Sequence, residues 1–352
     1  MTKSRDLSLD FLKGFAIVMV VFFHNIQLNP TSIADNLWML ACNAAVPCFF
    51  LVSGYLFFSR PFSLEKHIRR VLRFYLVVII WRLIYLALYH SWGAPLTGMR
   101  ALLSYLFLFQ SMDGVEISHF WFMDAMLTVM LAAPILRLCW NHDRKLIYYT
   151  LAVLLLFNQL LADGNLLLAV LARMFGKSAL EISSFAEINP FSFRHSNYMG
   201  YYLLGILLAE RRTKTSKKIS ILMMIIGLAG LALIKYLQSG TLQWQGLHIT
   251  SGYYWISTML LACGMFFFTA QLPFDRVPLL RWLSQVVGTS TMGIFYLHIP
   301  LIFLLRPTLF AQLSAYNGWL LNLAESLLIT AIACAITWIG KKIPMIKHLF
   351  LG

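Results

Sequence analysis

Residues 8–24 read SLDFLKGFAIVMVVFFH, an apolar run with Asp10 and Lys13 near one end and His24 at the other. An ionisable side chain in hydrocarbon costs a few kcal/mol and tends to be functional. Lys13 and His24 are eleven residues apart, which at about 100° per residue returns to nearly the same helix face and at about 1.5 Å per residue separates them by roughly 16 Å. Asp10, three residues before Lys13, falls on the same side. Such a stripe cannot face lipid cheaply and predicts a helix turned inward. The same residues also fit a stripe that only packs against other polar groups, with Lys13 snorkelling to the interface and His24 in the headgroup layer. The rest of the chain decides between the two.

Of the 352 residues, 60% are apolar and 12% charged, and the mean hydropathy is +0.73, far from the roughly 25% charged residues of a soluble domain. These values predict an all-α integral membrane protein. The net charge of +14 does not point to nucleic acid, because the basic residues sit between apolar segments and no soluble stretch is long enough to present a binding module. Cys42, Cys48, Cys139, Cys263 and Cys334 are odd in number, lie in or beside apolar runs and include no C-x-x-C pair, as buried free thiols do. No H-E-x-x-H or other ligand spacing among the histidines indicates a metal.

A span needs about 20 mostly apolar residues. Ten stretches qualify as candidates: 9–28, 37–58, 69–90, 120–140, 146–162, 197–210, 219–238, 251–271, 288–306 and 319–340, the fifth and sixth being short. Placing the N-terminus inside gathers most Lys and Arg on one side, from Lys3 and Arg5 through Arg69, Arg70, Arg73, Arg144, Lys145, Arg211 and Arg212 to Lys341 and Lys342, so the positive-inside rule predicts an N-in, C-in topology. A cleaved signal peptide ending near Ser32-Ile33-Ala34 competes for the first helix, but the run is long enough to span and carries Asp10 at its start. The longest outer connection, 163–196, contains LLLAVLARMF, expected as an interfacial helix. With no linker-like or low-complexity tract and no internal repeat, residues 1–352 read as a single membrane domain.

Four groups of residues carry a family resemblance. The first runs from Arg5 to His24, with Asp10, Lys13, Gly14 and His24 placed as a basic residue, ten intervening residues and a histidine. The second is FFLVSGYLF, with Phe49, Phe50, Ser53, Gly54 and Tyr55. The third is KHIRRVLRFY, with Arg70-x-x-Arg73. The fourth is STMGIFYLHIP, with Ser290, Tyr296, Leu297 and His298. Together with His119-Phe120-Trp121-Phe122 they resemble, in order, the motifs of the acyltransferase-3 family of integral membrane acyltransferases. The resemblance implies transfer of an acyl group, usually acetyl from acetyl-CoA, to a hydroxyl of a carbohydrate, commonly across the plasma membrane.

On that resemblance His24 is the expected catalytic base. Acyl transfer to a hydroxyl needs a group to take the alcohol proton and donors for the developing oxyanion; an imidazole is neutral enough near pH 7 to do the first, and a covalent acyl-histidine is the alternative route. Arg70 and Arg73, with Lys13, are expected to hold the phosphates of acetyl-CoA or another acyl-CoA. The bland reading of the two arginines is an ordinary positive flank. Ser53 and Gly54 read as a small pair for close helix packing, or as room for the pantetheine arm. Asp10, Tyr55, His119, Trp121, Tyr296 and His298 are expected to support the site or bind the acceptor, Trp121 either in the aromatic belt or stacked on a sugar. Expected partners are membrane lipid, a carbohydrate acceptor that includes lipid-linked forms, and a separate protein that carries the acyl group onward. The competing class is a transporter or flippase with the same stripe as a proton or substrate path.

Overall fold

The computed structural model describes residues 5–25, 33–95, 98–177, 189–191, 195–239, 252–311 and 318–350. Lys3, residues 26–28 of the first expected span, Ser32 of the Ser-x-Ala site and most of the expected outer connection after 177 lie outside them. The first helix, α1 (Leu7–His24), begins where Asp6 accepts the backbone N–H groups of Ser8 and Leu9 at 3.0 and 3.2 Å, satisfying two of the donors a helix start leaves open. There follow α2 (Ile33–Cys42), α3 (Ala45–Phe58), α4 (Leu64–Ser91), α5 (Met99–Phe107), α6 (Trp121–His142), α7 (Arg144–Leu155), α8 (Leu161–Met174), α9 (Ser196–Leu207), α10 (Lys217–Ser239), α11 (Ile256–Thr269), α12 (Pro278–Leu305) and α13 (Trp319–Lys342). Apart from one antiparallel bridge, Met112 to Val115, no strand pairing occurs among the described residues.

Eight helical stretches among the described residues are long and apolar enough to cross a membrane, so the protein is a multi-pass membrane protein. Every expected span has a helical counterpart, but the lengths differ. The sixth and eighth expected spans correspond to α9 and α11, of 12 and 14 residues. The fifth is long instead of short: α7 and α8 join through a π-helical turn at Leu156–Leu160 into one stretch of 31 residues, Arg144–Met174. Asn158 donates to the Leu154 carbonyl at 2.7 Å at that turn, so its side-chain amide finds a partner within the helix. The LLLAVLARMF segment is therefore the continuation of that helix to Met174 and not a separate interfacial one.

Helix α1 lies at the centre, against α12, α3, α13 and α11. Its crossing with α12 is a backbone contact. A Cβ on Gly288 would fall onto the Asp10 carbonyl, and one on Gly14 would stand 3.0 Å from the Gly288 nitrogen. Small residues permit this approach, which brings dispersion contacts that lipid cannot outcompete, and it sets the rotation of α1 that turns Asp10 and Lys13 inward. Arg212, buried beyond the end of α9, donates to Asp6 at 3.1 Å and to the Ser8 hydroxyl at 2.7 Å, fixing the entry into α1.

Prolines in the interiors of α6 and α12 shape the other side of the molecule. A helical proline has no N–H for the carbonyl four residues before it. Pro134 thereby uncovers the Met130 carbonyl, which the His67 ring meets through Nε2 at 2.8 Å. Pro300 uncovers the Tyr296 carbonyl, which accepts the Tyr85 hydroxyl at 2.7 Å. Both partners belong to α4, so α4 is fastened to α6 and to α12 by bonds that the two prolines make available. Replacement of Gly288 by leucine forces α1 and α12 apart and should cost about 1–3 kcal/mol, seen as a lowered Tm of the detergent-purified protein; an unchanged Tm would contradict the close crossing.

Candidate active site

One face of α4 carries His67, Arg70, Phe74, Val77, Trp81 and Tyr85, at spacings of three and four residues. Its two ends are the bonds to the uncovered carbonyls. Between them Arg70, Arg73, Phe74 and Val77 line a cavity of about 400 Å³. Lys13, Ile17, Val20, Phe23 and His24 of α1 form the facing wall. The cavity is closed by Val46, Phe49 and Ser53 of α3, by Met126 and Met130 of α6, and by Thr291, Met292 and Phe295 of α12. It has two unlike ends. Lys13, Arg70 and Arg73 stand at one; His24, His119, Trp121 and Tyr253 stand at the other; the walls between are mostly apolar.

At the cationic end Asp10 is buried and receives Lys13 Nζ at 2.8 Å and the guanidinium of Arg5. Asp10 therefore holds Lys13 in place and does not itself line the cavity. Nearby, Lys341 donates to the Thr289 carbonyl at 2.7 Å. Arg69 points elsewhere: it is exposed and pairs with Glu65 at 2.5 Å, an i, i+4 surface pair of small energetic weight. The positive flank thus divides by helix face, with Arg70 and Arg73 inward and Arg69 outward.

At the other end three histidines meet. The ring centroids are 5.2 Å apart for His24 and His298, 5.1 Å for His119 and His298, and 6.2 Å for His24 and His119. His119 and His298 are buried, and His119 is held through Nε2 by the Tyr85 hydroxyl at 3.1 Å. Trp121 stacks on Tyr198 with centroids 5.1 Å apart and lies 5.6 Å from Tyr253, so the ring is part of an aromatic wall at the cavity and not a lipid-facing belt. A second, more polar cavity of about 550 Å³ adjoins it, with Trp121 in both linings and Arg82, Gln110, Ser111, Glu116, Ser118 and Asp124 around it. Arg82 is buried there and donates to the Tyr105 and Gln110 carbonyls at 2.6 and 2.5 Å. Phe109 beside it has φ of 56°, a conformation costly for a bulky residue and frequent where a site constrains the backbone.

Of the residues singled out in the sequence, Lys13, His24, Ser53, Arg70, Arg73, His119 and Trp121 share the cavity. Gly54 does not: a Cβ there would fall onto the Tyr202 carbonyl, so its place is the close crossing of α3 with α9 and it leaves no room for a ligand. Tyr55 is also outside the cavity lining, against Phe266 of α11 with the Arg212 guanidinium 5.6 Å from its ring centroid. Tyr296 is buried against Trp81, with centroids 4.7 Å apart and planes at 8°, outside the cavity lining. Tyr85, Tyr253 and Tyr198 were not singled out; Tyr85 alone carried a signal, the proline four residues after Tyr296, which is readable only once α4 is known to pass that carbonyl.

A membrane helix assembly that leads from a cationic end along apolar walls to a partly buried imidazole suits transfer of a group carried on a polyanionic donor. The acyltransferase-3 family model, described as an acyltransferase domain, matches residues 6–340, and the chain belongs to that family. It is a membrane acyltransferase, an enzyme of acyl transfer. No curated protein and no solved structure matches it.

Replacement of Tyr85 by phenylalanine leaves the buried Tyr296 carbonyl without its donor and His119 without its tether. The expected cost is about 1–3 kcal/mol, measured by thermal unfolding in detergent against Tyr89→Phe as control. Equal stability of the two variants would contradict the role given to Pro300.

Proposed function

We propose that the protein moves an acyl group, acetyl from acetyl-CoA, to a hydroxyl of a cell-surface or lipid-linked carbohydrate across the plasma membrane. The observation that carries this reading is the single cavity that joins Lys13, Arg70 and Arg73 to His24. With the N-terminus inside, as the distribution of basic residues favours, the cationic end opens to the cytoplasm, where acyl-CoA is made. Guanidinium groups on one helix face suit bidentate phosphate contacts, and Lys13 adds a point charge held by Asp10. The roughly 16 Å of α1 between Lys13 and His24 is a span that an extended pantetheine arm bridges, along apolar walls that exclude water.

Acyl-CoA supplies an activated thioester carbonyl. His24 accepts the proton of the acceptor hydroxyl as its oxygen bonds to that carbonyl carbon; the carbon–sulfur bond breaks, and the imidazolium returns the proton to the departing sulfur, leaving free CoA and an ester. The polar cavity beside Trp121 offers the acceptor a route to the same point, since its lining of two carboxylates, an amide and two hydroxyls matches the hydrogen-bonding needs of a sugar, while aromatic faces such as Trp121 suit the apolar face of a ring. Either the glycan or a separate acyl-carrying protein takes the group away from this side.

In native membranes, His24→Ala should abolish incorporation of radiolabelled acetyl from acetyl-CoA into the envelope fraction while donor binding persists. Arg70→Ala/Arg73→Ala should raise the acetyl-CoA concentration needed for half-maximal rate by tenfold or more, about 1.4 kcal/mol. Full transfer by folded His24→Ala protein would contradict the assignment of the base.

A further inference from the structure

The three-histidine cluster contains more than a base. His298 is fully buried, and its Nδ1 lies 2.6 Å from the Phe295 carbonyl oxygen and 3.2 Å from that of Ile294. Carbonyl oxygens only accept, so Nδ1 carries the hydrogen, and in the neutral ring Nε2 is a lone pair. That Nε2 is buried with no hydrogen-bond partner among the described residues. The same logic fixes His119. Because the Tyr85 hydroxyl spends its hydrogen on the carbonyl that Pro300 uncovers, its oxygen can only accept from His119, so Nε2 of His119 carries the hydrogen. His119 Nδ1 is then a lone pair, also buried and without a partner among the described residues.

Two acceptor nitrogens with nothing to accept meet beside His24. They cannot bond to each other, since neither side has a hydrogen to give. A neutral imidazole has one N–H and one lone pair, and His24 is the third ring of the cluster. No bond joins the two rings as they stand, but ring nitrogens lie about 1 Å from their centroid, so with centroids 5.2 Å apart a turn of the His24 ring brings a nitrogen to roughly the 3 Å of a hydrogen bond from His298 Nε2; the 6.2 Å to His119 leaves that nitrogen farther away. The ring with a hydrogen to give to an unfilled nitrogen is therefore His24.

The geometry assigns to His298 the role of positioning residue for His24: its Nε2 lone pair accepts the His24 N–H, which fixes the tautomer of His24 and leaves the other His24 nitrogen as the lone pair facing the cavity. The proton stays on His24, no bond is made or broken at His298, and the imidazolium that forms during transfer keeps a hydrogen-bond acceptor. Pro300 and Tyr85 serve the cluster by denying His119 Nε2 the acceptor role. The part of this inference that concerns rate rests on the acyl-transfer reading; the tautomers do not.

Two substitutions separate the ends of the His298 ring. His298→Asn keeps a donor where Nδ1 was and removes the acceptor; His298→Gln puts an amide oxygen where Nε2 was. With full-length protein containing 15N-labelled histidine in nanodiscs, and His298→Asn used to assign the resonance, His298 should show hydrogen on Nδ1 and a bare Nε2. The His24 signal should move in His298→Asn and hold near its wild-type position in His298→Gln. In native membranes, His298→Asn should lower the rate of acetyl incorporation about a hundredfold or more with the half-saturating acetyl-CoA concentration unchanged, and His298→Gln should restore the rate to within about tenfold of wild type. A His298 ring with its hydrogen on Nε2, a His24 signal indifferent to His298→Asn, or wild-type turnover by that variant would each overturn the assignment. Wild-type membranes that incorporate no acetyl would instead sink the proposed transfer of acetyl to an envelope acceptor, and the nitrogen spectra would still decide the tautomers.

Discussion

A carbonyl left without a donor in hydrocarbon costs several kcal/mol, and Pro134 and Pro300 create two of them. The rest of the site depends on how they are filled. His67 and Tyr85, on one face of α4 and eighteen residues apart, meet the Met130 and Tyr296 carbonyls. Two anchors on one helix face leave that helix no freedom to rotate. The residues between them on that face and beside it, Arg70, Arg73, Phe74 and Val77, are thereby turned into the cavity, while Arg69 faces out. Backbone chemistry in α6 and α12 thus selects which arginines of a basic run face the channel.

The opposite wall is fixed by an equally local device. Gly14 and Gly288 let the backbones of α1 and α12 touch, and Asp6, capped into the start of α1 and tied to Arg212, sets where that helix begins. With both walls set, the α1 stripe of Asp10, Lys13 and His24 has a single orientation. A buried carboxylate steadies the lysine at one end, and at the other two buried histidines flank His24. Asp10, Lys13 and His24 therefore each have a neighbour that accounts for their presence, as the cost of burying charge and polarity requires.

Much of this was legible in the sequence. Apolar length marked the spans, helical spacing put Asp10, Lys13 and His24 on one face, and the motif resemblance pointed to acyl transfer. What the sequence hid were consequences of long-range packing. The fifth span was expected to stop at residue 162, but a π-helical turn at Leu156–Leu160 with its own side-chain bond joins it to a helix that continues to Met174. Gly54 sat in a motif beside Ser53, yet the two face different neighbours, one the cavity and the other the α9 backbone. Tyr85 is one aromatic among many until Tyr296 and Pro300 are seen beside it. Helix periodicity tells which residues share a face, not which face meets which helix.

The central claim is that one continuous cavity binds the donor from its cationic mouth to His24. The most direct measurement is a cryo-EM structure of the full-length protein in nanodiscs with acetyl-CoA bound. The account predicts phosphate density against Lys13, Arg70 and Arg73 and the thioester sulfur end beside His24. Donor density elsewhere on the protein, or a bound donor whose thioester end points away from His24, would contradict it.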